Sequence, residues 1–208
     1  MFKKWWFWVI VVVALFVIVG TCTSPEPEKV SEKIPSYSIA KIKDISYGNV
    51  KRFEYHVVIP DEVTPEQMKL VVKDVVDKAK KEEKFNAIVV MMYDYPEYID
   101  HGYTLGRAVF APDGDWSKAD TVEAGDYSKM EFNWVDLRNK DWSKRLTKKE
   151  VEIWKTWQDK YAKEESKSSE LPDEKEITKW VAQKFGISED DVMKVMIKQT
   201  EWMMNDKQ

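Results

Sequence analysis

The chain has 208 residues, of which 43% are hydrophobic, 34% charged and 13% aromatic. With 10 tryptophans it has enough apolar surface to build a core, which excludes a disordered chain. The net charge of −4 provides no overall basic field of the kind that nucleic-acid-binding proteins use. The single cysteine excludes an internal disulfide framework and a multi-cysteine metal site.

Residues 1–22 predict a transmembrane anchor or a lipoprotein signal. Lys3 and Lys4 precede an uncharged, largely apolar run from Trp5 to Thr23. This length is close to the roughly 20 residues that a helix needs to cross a bilayer. Positively charged flanks stay on the cytoplasmic side, so we expect the chain after Thr23 to lie outside the cell membrane.

Two fates fit this N-terminal segment. Its length and the belt of Trp5, Trp6 and Trp8 favour a helix that is retained as an anchor. The alternative is a signal that is cleaved at "VGTC", leaving Cys22 as the lipidation site, although Thr21 departs from the usual Gly, Ala or Ser. With either fate the N-terminus is cytoplasmic or cleaved, and the bulk of the chain is extracytoplasmic and attached to the cell membrane.

The rest of the chain divides by composition. Residues 23–36 contain three prolines and many charges, which predicts a disordered tether. An α+β domain is predicted over residues 37–142, followed by a helix over 143–165. A polar hinge at 166–173 then leads into a C-terminal helical pair at 174–208.

The α+β domain is predicted to begin with two strands, "SYSIAKIKDIS" and "KRFEYHVVI". In the second, apolar side chains alternate with polar ones, the pattern of a half-buried strand, so His56 is expected to face away from Phe53 and Tyr55. "TPEQ" predicts a helix start with a capping box of Thr64 and Gln67.

Two further strands are predicted, "NAIVVMMYDY" and "GYTLGRAVFAP". The predicted order is therefore ββαββ, a small antiparallel or mixed sheet with one packed helix. After Pro112 we expect an irregular segment whose aromatic side chains cover a sheet edge.

Three of these segments resemble an uncharacterised bacterial domain of unknown function that occurs in short secreted, lipoprotein or membrane-anchored proteins. They are "RFEYHVVIP", "FNAIVVMMYDY" and "GYTLGRAVFAPDGDWSKA", and the resemblance spans roughly residues 37–142. It implies a small α+β domain and an extracytoplasmic location, and it transfers no catalytic residues.

The densest polar cluster follows the third strand. Asp94, Glu97, Asp100 and His101 are weak candidates for a metal or a small polar ligand, and a solvated loop is the simpler interpretation. The loop that starts at Asp113 does not fit a calcium-binding EF-hand, because its positions 5, 6 and 12 are Ser117, Lys118 and Ala124, where an EF-hand has glycine at position 6 and glutamate at position 12. No nucleophile, phosphate-loop or dinucleotide motif occurs, so we expect neither a cofactor nor an enzymatic activity.

"VAQKFGISEDDV" has the spacing of a helix-turn-helix, but its second helix begins with Glu189, Asp190 and Asp191, where phosphates would lie. A helical corner that binds no nucleic acid is therefore expected. The leading hypothesis is a membrane-tethered extracytoplasmic module that binds an envelope protein or polymer. The alternative is an envelope hydrolase or metal-dependent site around Asp94–His101. A DNA-binding regulator is a third hypothesis, and it would require a cytoplasmic C-terminus.

Overall fold

A computed structural model of the chain describes residues 33–167 and 170–204. The predicted membrane segment, Cys22 and most of the predicted tether lie outside the described residues. Among the helices that are described, none is long and apolar enough to cross a membrane. The described chain from Ile34 onward forms one compact unit.

The centre of the fold is a five-stranded mixed sheet whose strands lie side by side in chain order. The strands are β1 Ser38–Asp44, β2 Arg52–Val58, β3 Ala87–Tyr93, β4 Gly106–Pro112 and β5 Met130–Leu137. β2 and β3 are parallel, and the other neighbouring strands are antiparallel. The helix α1, Pro65–Glu82, connects the parallel pair, as such a crossover requires. The prediction of an α+β fold is confirmed, and the sheet is mixed.

The fifth strand is a correction to the predicted ββαββ order. Residues 113–142 were expected to be irregular, but Met130–Leu137 pairs along the whole of β4. Its side chains alternate between partly buried Phe132 and Trp134 and exposed Glu131 and Asn133. The alternation is visible in the sequence. The strand was not predicted because it contains Glu131, Asn133 and Asp136, residue types that are depleted in strands.

Helix α1 begins where the sequence predicts. Thr64 accepts a hydrogen bond from the backbone N–H of Gln67 at 3.2 Å, and the Gln67 side chain accepts one from the Thr64 N–H at 2.9 Å. Both donors would otherwise lack partners at the helix start. The buried stripe of α1 packs in the same core as Phe53, Tyr55 and Val57, which defines the first face of the sheet.

Three further helices complete the fold: α2 Lys148–Glu165, α3 Glu174–Phe185 and α4 Glu189–Met204. Gly186 ends α3 in the left-handed conformation (φ 63°), which glycine adopts without steric cost. The apolar faces of these helices join the core of the first face through Trp154, Val181 and Trp202. Trp202 is only 2% exposed, so its burial alone contributes about 3 kcal/mol.

Candidate functional site

Asp94, the first residue of the predicted polar cluster, forms hydrogen bonds that hold the fold together. Its side chain is buried at the end of β3. It accepts hydrogen bonds from the Thr104 hydroxyl at 2.6 Å, from Arg145 Nε at 3.0 Å and from Trp202 Nε1 at 3.3 Å. These three donors come from distant parts of the chain, so the carboxylate is already satisfied by structural partners.

Arg145 extends the network around Asp94. Its terminal nitrogens donate to the carbonyl oxygens of Asp94 at 2.8 Å and Pro60 at 2.7 Å. Its guanidinium lies 4.1 Å from the ring centre of Tyr95. The two residues therefore fasten the segment before α2, and through Trp202 the end of α4, to the end of β3.

Of the other three residues of the predicted cluster, Asp100 and His101 contact different neighbours, and the buried Oε2 of Glu97 makes no hydrogen bond with a described residue. Asp100 is exposed and binds Lys41 Nζ at 2.7 Å. His101 lies edge-on to the Trp154 ring, with centroids 5.2 Å apart, and Glu97 lies in a short 3-10 helix. Within residues 33–167 and 170–204, no group of three or more His, Cys, Asp or Glu side chains has the geometry to hold a metal ion.

The second face of the sheet combines an apolar part with a polar part. The 3-10 helix Trp116–Thr121 packs on the apolar part through Ala119, which contacts Val89, Val109 and their neighbours. The strand register places polar and charged side chains on the rest of this face. We call these residues the polar face: Lys41, Lys43, Arg52, Glu54, His56, Met91, Tyr93 and Arg107.

His56 lies at the centre of the polar face and is 1% exposed. Its Nδ1 lies 2.8 Å from the Tyr93 hydroxyl, and its Nε2 lies 2.7 Å from Glu54 Oε1 in a poorly aligned contact that makes no hydrogen bond. Burial lowers the pKa of His56, against the opposing effects of Glu54 and Asp100. The imidazole is therefore held in its neutral form near neutral pH.

Two arginines of the polar face were missed by sequence reasoning. The Nε atoms of Arg52 and Arg107 are buried and make no hydrogen bond with any described residue. Arg52 also lies 5.5 Å from the ring centre of Trp116. The alternation of β2 places Arg52 beside His56 on one face, but Arg107 stands in an apolar segment and joins them only through strand pairing.

A groove of about 470 Å³ lies at the corner between α2, α3 and α4. We call it the helical groove. Its residues combine apolar and charged side chains: Trp157, Glu174, Lys175, Thr178, Glu189, Asp190, Met193 and Met196. Thr178 accepts a hydrogen bond from Trp157 Nε1 at 3.1 Å and donates one to the Glu174 carbonyl at 2.7 Å, which fixes the wall of the groove.

Comparison with known proteins identifies a family but no activity. The model of DUF4875, a domain of unknown function, matches residues 32–195. The match includes the sheet, α2, α3 and the first turns of α4, and so it extends beyond the span of 37–142 that the sequence resemblance indicated. Neither the curated proteins nor the solved structures include a significant match.

We expect Asp94→Asn to lower the free energy of unfolding by about 3 kcal/mol, because it leaves Arg145 without its buried carboxylate partner. Denaturant unfolding followed by tryptophan fluorescence measures the loss. The matched control is Asp159→Asn, which removes an exposed carboxylate paired with Lys155 and should cost less than about 1 kcal/mol. Equal losses in the two variants would contradict a structural role for Asp94.

His56 makes stability depend on pH. Because its pKa is lowered in the folded state, the unfolded chain binds more protons as the pH falls through the ordinary histidine pKa of about 6.5. The free energy of unfolding should therefore decrease as the pH falls from about 7.5 to about 5.5. His56→Gln should flatten this slope, with His101→Gln as the matched control. An unchanged slope in His56→Gln would rule out His56 as the cause of the pH dependence of stability.

Proposed function

The chain belongs to the DUF4875 family, and we propose that it is a membrane-tethered module that binds a partner protein outside the cytoplasm. The support for the tether is the lysine-flanked apolar run from Trp5 to Thr23. The support for binding is the helical groove, which is open at the surface and lined by apolar and charged side chains. The proposed occupant is an amphipathic helix of the partner with basic residues along its flanks.

The apolar part of the groove suits such a helix. Met193, which lines the groove, is 47% exposed, and Ile197, one turn further along α4 and outside the groove lining, is 56% exposed. Residues at this spacing share one face of a helix. Exposed methionines adapt their shape to an incoming apolar side chain, as helix-binding grooves require.

The charges of the groove favour a basic partner. The charged residues that line the groove are three carboxylates and one lysine: Glu174, Glu189, Asp190 and Lys175. None of the four pairs with another described residue, whereas the neighbouring Asp191 binds Lys194 at 3.1 Å. The unpaired carboxylates would attract Lys and Arg of a partner helix and repel the phosphates of a nucleic acid.

The hydrolase hypothesis has less support. It relied on Asp94 and His101, but the Asp94 carboxylate is occupied by Thr104, Arg145 and Trp202. His101 packs against Trp154 and makes no contact with Asp94. A general acid or base needs a free position beside the reacting group, which Asp94 does not have.

The tether is tested by topology. A C-terminal epitope tag on the full chain should be removed by protease added to spheroplasts, because the domain lies outside the membrane. Protection of the tag in intact spheroplasts, with cleavage after lysis, would contradict the proposal. Incorporation of radiolabelled palmitate that is lost in Cys22→Ala would identify the lipoprotein fate, and its absence would identify the retained anchor.

Binding at the helical groove is tested by photo-crosslinking in cells, with benzoylphenylalanine in place of Met193. We expect an adduct whose crosslinked segment, mapped by mass spectrometry, is a basic amphipathic helix. The same probe in place of Lys73, an exposed residue of α1, is the matched control and should give no such adduct.

The double variant Glu189→Gln and Asp190→Asn should lower the crosslinking yield severalfold, because it removes two carboxylates without changing the shape of the groove. An identical adduct at both probe positions, or an acidic crosslinked segment, would contradict the proposed partner.

A further inference from the structure

The two carboxylates that border the polar face already have partners. Asp136 forms an ion pair with Arg138 Nε at 3.0 Å, and Asp100 forms one with Lys41 Nζ at 2.7 Å. Glu54, which belongs to the polar face itself, lies 2.7 Å from Nε2 of the neutral His56 imidazole. Asp136 is the residue directly across from Arg107 on β5, but its carboxylate is paired with Arg138.

Three cations of the polar face are left over. Lys43, Arg52 and Arg107 form no salt bridge with any residue in the described parts of the chain. Two of them also have a buried Nε without an acceptor. Buried donors in folded proteins almost always have a partner, so these arginines are more costly to the fold than ordinary surface arginines. An anionic ligand would offset that cost.

The strand register gives this ligand a position. His56, Met91 and Arg107 are paired across β2, β3 and β4 and so form one row on the same side of the sheet. Neighbouring strands lie about 4.8 Å apart, which puts His56 and Arg107 roughly 10 Å from each other with Met91 between them. Met91 is only partly buried. The row therefore forms a shallow binding position above Met91, with the His56 imidazole on one side and the Arg107 guanidinium on the other.

We propose that the polar face binds a small oxyanion above Met91, a carboxylate or a phosphoryl group, with the Arg107 guanidinium as its main anchor and Arg52 and Lys43 as supporting cations. The planar guanidinium matches the two oxygens of such a group with parallel hydrogen bonds. This site shares no residue with the helical groove, so the proposal does not depend on the partner protein proposed there.

The site also becomes more favourable for an anion at lower pH. Protonation of His56 adds a positive charge beside Met91. The other titratable groups that face His56 are Glu54 on its own strand, Lys41 on β1, Tyr93 on β3 and Asp100 in the loop after β3. Lys41 and Asp100 neutralise each other, and Glu54 would be neutralised by the imidazolium, so Arg107 would face the anion without a competing carboxylate.

Methyl NMR of the full chain tests this site. The chain is labelled with ¹³C-methyl methionine and ¹⁵N-arginine, purified in an uncharged detergent, and titrated with sulfate, phosphate or succinate against chloride at constant ionic strength. We expect a saturable shift of the Met91 methyl resonance and of the Arg107 Nε–Hε resonance. A response to succinate alone would assign a carboxylate ligand, and a response to phosphate and sulfate alone a phosphoryl ligand. No saturable shift with any of the three anions would overturn the proposal.

Variants separate specific binding from general charge attraction. Arg107→Gln should weaken binding at least about tenfold, and Arg107→Lys should weaken it less, because it keeps the charge and loses the planar fork. Lys73→Gln removes the same charge from α1 and should leave the affinity unchanged. The other methionine resonances report whether each variant remains folded. Equal affinity in folded Arg107→Gln and wild type would overturn the site.

The role of His56 is read from the sulfate titration, because the charge of sulfate is constant near neutral pH. Because burial lowers the pKa of His56 beneath the ordinary histidine value, affinity should rise severalfold only as the pH falls below about 6.5. In His56→Gln the affinity should be independent of pH. A rise that persists in this variant would overturn the contribution of His56.

Discussion

The C-terminal half of the fold depends on one buried charge, the carboxylate of Asp94. It lies at the end of β3 with a side-chain exposure of 0%, and Arg145 provides its counter-charge. A buried carboxylate without such a partner would be strongly destabilising. Because its hydrogen-bond donors include Arg145 before α2 and Trp202 in α4, satisfying this one group also positions the helices against the sheet.

The C-terminal end of α4 is also held by hydrogen bonds from basic side chains. Its last backbone carbonyls have no partner within the helix. Arg138 and Lys140 donate to the carbonyl of Met203 at 2.8 and 3.3 Å, next to the contact between Trp202 and Asp94. The helical groove lies at the opposite end of α4, near Glu189, where the acidic first turn is stabilised by the helix dipole. One end of α4 is thus used for anchoring, and the other is free to present a surface.

Neither of the two proposed binding surfaces coincides with the polar cluster that the sequence emphasises, although Asp100 borders the polar face. Asp94, Asp100 and His101 are close in sequence, but each has a different neighbour in the structure. Neither proposed site is formed by one such run. The helical groove uses three helices, and the polar face uses four strands. Both surfaces carry charges that lack partners within the described chain, acidic at the groove and basic at the sheet.

The sequence by itself determined the local features: the capping box of Thr64 and Gln67, the alternation that turns His56 away from Tyr55, and the α+β class. Those features depend on neighbours within about four residues, where hydrogen-bonding and side-chain spacing are fixed by backbone geometry. The tertiary structure alone decided that β5 completes the sheet, that Arg145 neutralises Asp94, and that Arg107 has no carboxylate partner among the described residues. Each of these depends on pairing between residues far apart in the chain, and local residue patterns carry no information about which charge will meet which.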